Sequence, residues 1–199
     1  DEVICGFGRT GQWWGCQTYG FEPDLITFAK AVTNGYQSLG GVAVSDRIAQ
    51  VITASGGEFT HGFTYSGHPV ACAAGDATVK IYQETDLLET IQSTQQHVWA
   101  QALSSLSDHP IVGEVRSKGM LGALELVREQ GSPTRLAPDA GAAIFCRNYA
   151  IQHGLMARQV GDGLILSPPL IITSDEIEQL VTGLRAALDA TATAFGVAC

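Results

Sequence analysis

Leu25-Ile26-Thr27-Phe28-Ala29-Lys30, running on into Ala31-Val32-Thr33-Asn34-Gly35-Tyr36, is the stretch from which the fold can be read. An apolar run with β-branched and aromatic members predicts a buried strand. It ends on a single lysine and then breaks at Asn34-Gly35. A lysine at the end of a buried strand is costly to desolvate, and that cost lowers its pKa. A partly neutral lysine is a nucleophile toward aldehydes. The alternative is a lysine that lays its stem along the strand end and keeps its ammonium in water.

Working outward, Asp1-Glu2-Val3-Ile4-Cys5 reads as the tail of a strand entering the glycine-rich loop Gly6-Phe7-Gly8-Arg9-Thr10-Gly11. An aspartate at one strand end and a lysine at a later one are what a pyridoxal phosphate site requires. The lysine carries the cofactor, and the carboxylate keeps the pyridine nitrogen protonated so that the ring can take up carbanion electrons.

Four segments make the pattern specific: DEVICGFGRTG (1–11), PDLITFAKAVTNGY (23–36), HGFTYSGHPVACAA (61–74) and ARQVGDGLILSPPL (157–170). In this order the chain resembles the class III (ω-amino acid type) aminotransferases, which are fold-type I pyridoxal phosphate enzymes, over essentially all 199 residues. The resemblance implies an α/β fold. Residues 1–85 would be the C-terminal part of the large parallel-sheet, cofactor-binding domain, and 86–199 a small α+β domain. It also implies that the family's phosphate loop and ring-stacking aromatic precede Asp1, so the chain is expected to be the C-terminal portion of a longer enzyme. A free α-ammonium on Asp1 would place positive charge where the pyridine nitrogen wants negative charge, which points the same way. Activity of the isolated portion is then not expected.

The resemblance assigns roles by position. Lys30 would hold the cofactor and move the proton. Asp1 would pair with the pyridinium, and Val3, two residues on and on the same strand face, would press on the ring. Thr64 would bind the cofactor phosphate of the neighbouring subunit in a homodimer. Arg158 would grip a substrate carboxylate, since a guanidinium binds carboxylate through two parallel bonds. From the residues alone, Thr64 reads as an ordinary turn residue and Arg158 as a surface arginine. Family members acting on ornithine, acetylornithine or 4-aminobutyrate commonly carry glutamine after DEV, and this chain has Ile4. That leans toward amine- or β-alanine-type pyruvate transaminases. The implied reaction moves an amino group from a primary amine or ω-amino acid to pyruvate or a similar oxo acid. A related aminomutase or decarboxylase, or an inactive portion lacking half its site, are the alternatives.

Bulk properties narrow the partners. A formal charge of −9 disfavours nucleic acid and anionic membrane surfaces. No apolar run reaches bilayer-spanning length, and nothing near Asp1 has the shape of a signal peptide. Cys5, Cys16, Cys72, Cys146 and Cys199 are scattered without a C-x-x-C, which fits unpaired thiols in a reducing cytosol. The five histidines lack metal-ligand spacing, so no metal is expected.

The rest reads as punctuation. Trp13, Trp14, Tyr19 and Phe21 form an aromatic-rich loop that either lines a substrate pocket or covers a core edge. Ser45 caps a short helix from 46 to about 52. Pro69 opens a helix over 70–82. A helix from near 86 to about 107 carries Leu88, Ile91, Gln95, Val98, Ala102 and Leu106 on one face. Strands follow at 111–115 and 120–127, then a helix over 140–152 ended by Gly154. Arg158 ends a short strand over 155–158, and Gly161-Asp162-Gly163 turns it into another at 164–166. Thr173-Ser174-Asp175-Glu176 is a capping box for the last helix.

Overall fold

The β-branched run forms strand β1 (Leu25–Phe28), preceded by a short helix α1 (Gly15–Tyr19). The computed structural model describes residues 1–197, so Cys199 lies outside the described residues. β1 pairs antiparallel with β2 (Gly41–Val44), from Leu25 opposite Val44 to Phe28 opposite Gly41. The strand is not buried as expected. Its residues alternate between exposed and half-exposed, and Leu25 and Val42 both remain more than half exposed. A two-stranded ribbon needs a layer over each apolar face, and this face has none among the described residues.

The strand expected at 1–5 is a run of turns instead. Glu2 N–H donates to Thr27 O at 2.8 Å, but Glu2 O then accepts from Gly6 N–H at 2.9 Å. That bond closes the chain on itself before a ladder can extend. Helix α2 (Asp46–Ala54) begins after Ser45, whose hydroxyl bonds Asp24 Oδ1 at 2.9 Å rather than capping the helix. Helix α3 (Pro69–Glu84) starts at proline as expected. It lies against the 3-10 turn Lys30–Val32, and Gly75 of the helix makes room for Leu39. A Cβ there would come within 2.8 Å of Leu39 Cδ2.

The aromatic-rich loop covers a core edge. Phe7 sits at the centre of a cluster, 5.0 Å from Trp14 and 6.2 Å from Phe28 between ring centroids, while Trp13 is 5.4 Å from Tyr82 of α3. These packings tie loop, strand and helix together. Tyr19 and Phe21 stay outside it, both more than half exposed.

The chain divides between Glu89 and Thr90 into two compact units. Helix α4 (Leu87–Thr90) leads through a π turn (Ile91–Gln95) into α5 (Gln96–Ser104). The extra residue in the π turn rotates the following helix by about one position. Trp99 and Leu103 are therefore fully buried, and Val98 and Ala102, expected on the core face, are half-exposed.

In the second unit β3 (Val112–Lys118), β4 (Leu121–Leu126), β5 (Arg158–Val160) and β6 (Gly163–Leu166) form an antiparallel sheet in the order β3-β4-β6-β5. Leu124, Leu126, Leu164 and Leu166 point to its covered face. There α5 and α6 (Ala142–Gln152) pack on the strands, and α7 (Ser174–Ala194) packs on both helices. Trp99 Nε1 donates to Leu121 O at 3.2 Å, so the largest core side chain leaves no polar atom unpaired. His109, buried, accepts from Ile111 N–H at 3.4 Å through Nδ1, leaving Nε2 to bond Asp189 of α7 at 3.1 Å. The capping box opens α7 as read: Glu176 N–H donates to Thr173 Oγ1 at 3.3 Å, and Thr173 N–H to the Glu176 carboxylate at 2.8 Å.

Candidate active site

β1 sets the geometry, because alternate residues of a strand face opposite sides. Thr27 shares a face with Leu25, and its hydroxyl donates to Asp1 Oδ1 at 3.2 Å. Val3 N–H donates to the same oxygen at 2.9 Å. Oδ2 has no hydrogen-bond partner among the described residues, which leaves it available as an acceptor. Lys30 follows Thr27 by three residues, so roughly 10 Å of chain at most separates them. The aspartate and the lysine are thereby brought to one end of one strand.

Lys30 is exposed, against the expectation of burial. Its φ of +47° lies in the left-handed region, as does that of Asn34 at +49°. For a residue with a Cβ that conformation costs on the order of 1 kcal/mol, and such strain gathers at functional sites. The left-handed turn stops β1 at Phe28 and directs the chain into the 3-10 turn on which α3 packs. Val3 occupies a turn rather than a strand, so the shared strand face expected for Asp1 and Val3 does not form.

Thr64 begins the turn 64–67 immediately ahead of α3 and is exposed. Ser66 Oγ accepts from Phe63 N–H at 2.9 Å within the same turn. The first N–H groups of α3 have no partner within the helix, as at any helix start. Beside them Gln37, Ser38, Leu39, Phe63, Tyr65 and Ser66 line a cavity of about 390 Å³. Phe63 and Tyr65 are each at least 80% exposed there, a concentration of aromatic surface rarely left bare.

Arg158 begins β5 rather than ending a strand over 155–158. That segment carries only one buried residue, Ala157, and pairs with nothing before Arg158 reaches Ile165. The hairpin at Gly161-Asp162 forms as read, with Val160 opposite Gly163. Ala123 lies opposite both Ile165 and Arg116, so Arg116, Ala123, Ile165 and Arg158 make one row across the open face of the sheet. Arg116 is bound by Glu114 and Glu125, and these carboxylates raise its pKa, Glu125 most. Arg158 has no carboxylate partner among the described residues, unlike Arg116, Arg135 and Arg185.

Sequence reasoning passed over Glu2. It is buried, and its two carboxylate oxygens accept from Gly15 N–H at 2.8 Å and Cys16 N–H at 2.7 Å. Burial and the Glu2 carboxylate together push the Cys5 and Cys16 thiols up, so neither is an activated nucleophile. The sequence carries no signal for this, because Glu2 follows Asp1 directly and two adjacent acidic residues read as solvated. Among the described residues no cluster of ligating side chains could hold a metal. No helix of the described residues is long and apolar enough to cross a membrane.

Comparison with known proteins converges on one group. The family model for aminotransferase class-III matches residues 1–188. A putrescine–pyruvate aminotransferase of Pseudomonas aeruginosa is 47% identical over 194 residues, covering 98% of this chain and 42% of that protein. A γ-aminobutyrate transaminase of Solanum lycopersicum is 39% identical, over 96% of this chain and 37% of the relative. Among solved structures, an (S)-enantioselective ω-transaminase from Thermomicrobium roseum matches with a TM-score of 0.90 at 41% identity, over 96% of this chain and 42% of that one. An ω-transaminase from Pseudomonas jessenii in complex with PMP matches at 0.92 and 35%, over 98% and 44%. The chain thus spans less than half the length of these relatives.

Proposed function

Because this chain belongs to the class-III aminotransferase family, we propose that it transfers an amino group from a primary amine or ω-amino acid to pyruvate or a similar oxo acid, with Lys30 carrying pyridoxal phosphate. The observation that carries this reading is the bond from Thr27 to Asp1, which draws the carboxylate to the strand end that bears Lys30. The donor set fits the cofactor: an acceptor oxygen for a protonated ring nitrogen, a primary amine for an aldehyde, and hydroxyls beside a helix start for a phosphate. When bound, pyridoxal phosphate supplies an electron sink for the carbon that loses its proton.

The chain's own groups do the rest. Asp1 Oδ2 would accept the ring N–H and stabilise its positive charge. Lys30 Nζ would hold the cofactor and would serve as the base and then the acid for the proton that the reaction moves. The Thr64 turn and the start of α3 receive the phosphate of the neighbouring subunit, a reading supported by the bare aromatic surface around them. The partner is then a second copy of this chain, in a homodimer. Arg158, on the open sheet face and without a carboxylate partner among the described residues, takes the oxo acid's carboxylate. Ile4 and the putrescine–pyruvate relative both favour an amine donor and pyruvate. The four unpaired cysteines of the described residues fit a cytosolic setting.

The test is Lys30→Ala in the holoenzyme. Single-turnover transamination should fall by about 10²–10⁴, the usual effect of losing a positioned base. A variant within tenfold of the parent would remove Lys30 from the reaction.

A further inference from the structure

Four hydrogen bonds fix the Asp1–Glu2 segment from three directions. Glu2 N–H donates to Thr27 O at 2.8 Å, aligning the segment with β1. The Glu2 carboxylate is buried and takes both the Gly15 and Cys16 N–H groups, holding the aromatic loop against it. Thr27 Oγ1 donates to Asp1 Oδ1. Position 15 has to be glycine for this clamp, because a Cβ there would lie 3.0 Å from Glu2 Oε2 and 2.9 Å from Cys5 Cβ.

A carboxylate on a single rotatable bond has no preferred direction in water. Here one oxygen is occupied twice, by Val3 N–H and by the Thr27 hydroxyl, and the other is left open. We propose that Thr27 and Glu2 are positioning residues for the Asp1 carboxylate, Thr27 by occupying Oδ1 so that Oδ2 faces the cofactor's ring nitrogen, and Glu2 by clamping the peptide that carries Asp1. The proposal rests on the reading of Asp1 as the partner of that nitrogen. Neither residue touches the reacting atoms. Each acts through Asp1.

The experiment compares holoenzymes carrying Thr27→Val, Thr27→Ser, Glu2→Gln and Asp1→Asn. Thr27→Val keeps the β-branched shape that suits a strand and removes only the donor. It should slow single-turnover transamination about 3- to 10-fold, the effect of one hydrogen bond of ordinary strength. It should also raise the dissociation constant for pyridoxal phosphate, read on the apoenzyme by absorbance, without lowering the melting temperature. Thr27→Ser should restore both. Glu2→Gln should weaken cofactor binding in the same direction, because one amide oxygen cannot serve both N–H groups.

A second readout separates orientation from mere structure. N1-methyl pyridoxal phosphate carries a permanent positive charge, so its ring needs no carboxylate to stay cationic. Loaded with it, parent and Thr27→Val should react at equal rates. An equal deficit with both cofactors makes Thr27 a structural residue and overturns the proposal. Thr27→Val or Glu2→Gln matching the parent in rate and affinity, while Asp1→Asn is impaired, overturns that residue's positioning role alone. An unimpaired Asp1→Asn instead overturns the reading of Asp1 itself.

Discussion

In the unit of residues 90–197, Trp99, Leu103, Leu124, Leu164 and Leu184 are wholly out of solvent, whereas in the unit of residues 1–89, Leu25, Val42, Val51, Phe63 and Tyr65 are each more than half exposed. The first-named unit has a four-stranded sheet with helices over one face and closes its own core. The other has a two-stranded ribbon, and its interior is an aromatic cluster around Phe7 with a buried carboxylate beside it. Asp1, Lys30 and Thr64, the residues proposed to hold the cofactor, all fall in the open unit. The residues proposed for the cofactor thus lie apart from the stretch that closes a core, while Arg158, proposed for the substrate carboxylate, lies on the surface of the closed unit. The exposed apolar side chains of the open unit are what a further contact would cover.

The comparison breaks most readily at Trp99. Trp99→Ala in the holoenzyme should cost about 3–5 kcal/mol in denaturant unfolding, since it empties a fully buried site. Val51→Ser, at a position 69% exposed, should stay within about 0.5 kcal/mol. A loss at Val51 comparable to that at Trp99 would mean that Val51 of α2 is among the residues such a contact covers.

Arg158→Ala sharpens the same contrast from the other side, on the surface of the closed unit. Breaking a desolvated carboxylate pair costs on the order of 2–5 kcal/mol, or about 30- to several-thousand-fold in kcat/KM with pyruvate. The half-reaction of an uncharged amine should change little, and unfolding should not change. Arg158→Lys should recover part of the loss, an ammonium lacking the two parallel bonds. Equal losses in both half-reactions, or none, would leave Arg158 a surface residue.

The smallest effect belongs to the capping box. Thr173→Ala should cost about 1 kcal/mol at pH 7, as N-cap truncations do. The Thr173 N–H and hydroxyl hold the Glu176 carboxyl below its ordinary range. A depressed folded-state pKa adds stability that is complete above the unfolded value of about 4.3 and is lost as pH falls through the lower folded value. Glu176→Gln should therefore flatten the acid limb of the stability profile. An unaltered acid limb would remove the link.

Local chemistry was the part legible in the sequence. Pro69 opening α3, the Thr173–Glu176 box and the Gly161-Asp162 hairpin each depend on residues within a few positions, and each formed. Burial was not legible in the same way. The run at 25–30 has the composition of an interior strand, yet whether it is interior depends on what lies over it. Lys30 is exposed, and its left-handed backbone has no signature in a Lys-Ala-Val sequence. The Asp1–Lys30 pairing was read from two strand ends and made specific by the family resemblance, whereas the Thr27 hydroxyl that draws Asp1 to β1 could not be read, because 26 residues separate the two. Glu2 was missed because a charged residue next to Asp1 reads as solvated until its buried N–H partners are seen.

The π turn at Ile91–Gln95 bears on how this chain should be lined up with its relatives. Such a turn holds one residue more than an α-helix spends over the same rise. A relative with an unbroken helix reaches the position of Trp99 one residue sooner, so the gap in a pairwise alignment belongs inside 91–95. Placed after α5, the gap would set Val98 against the relative's counterpart of Trp99 and shift every comparison along α5 by one, whereas a gap placed before α4 would leave α5 in register and misalign α4 instead.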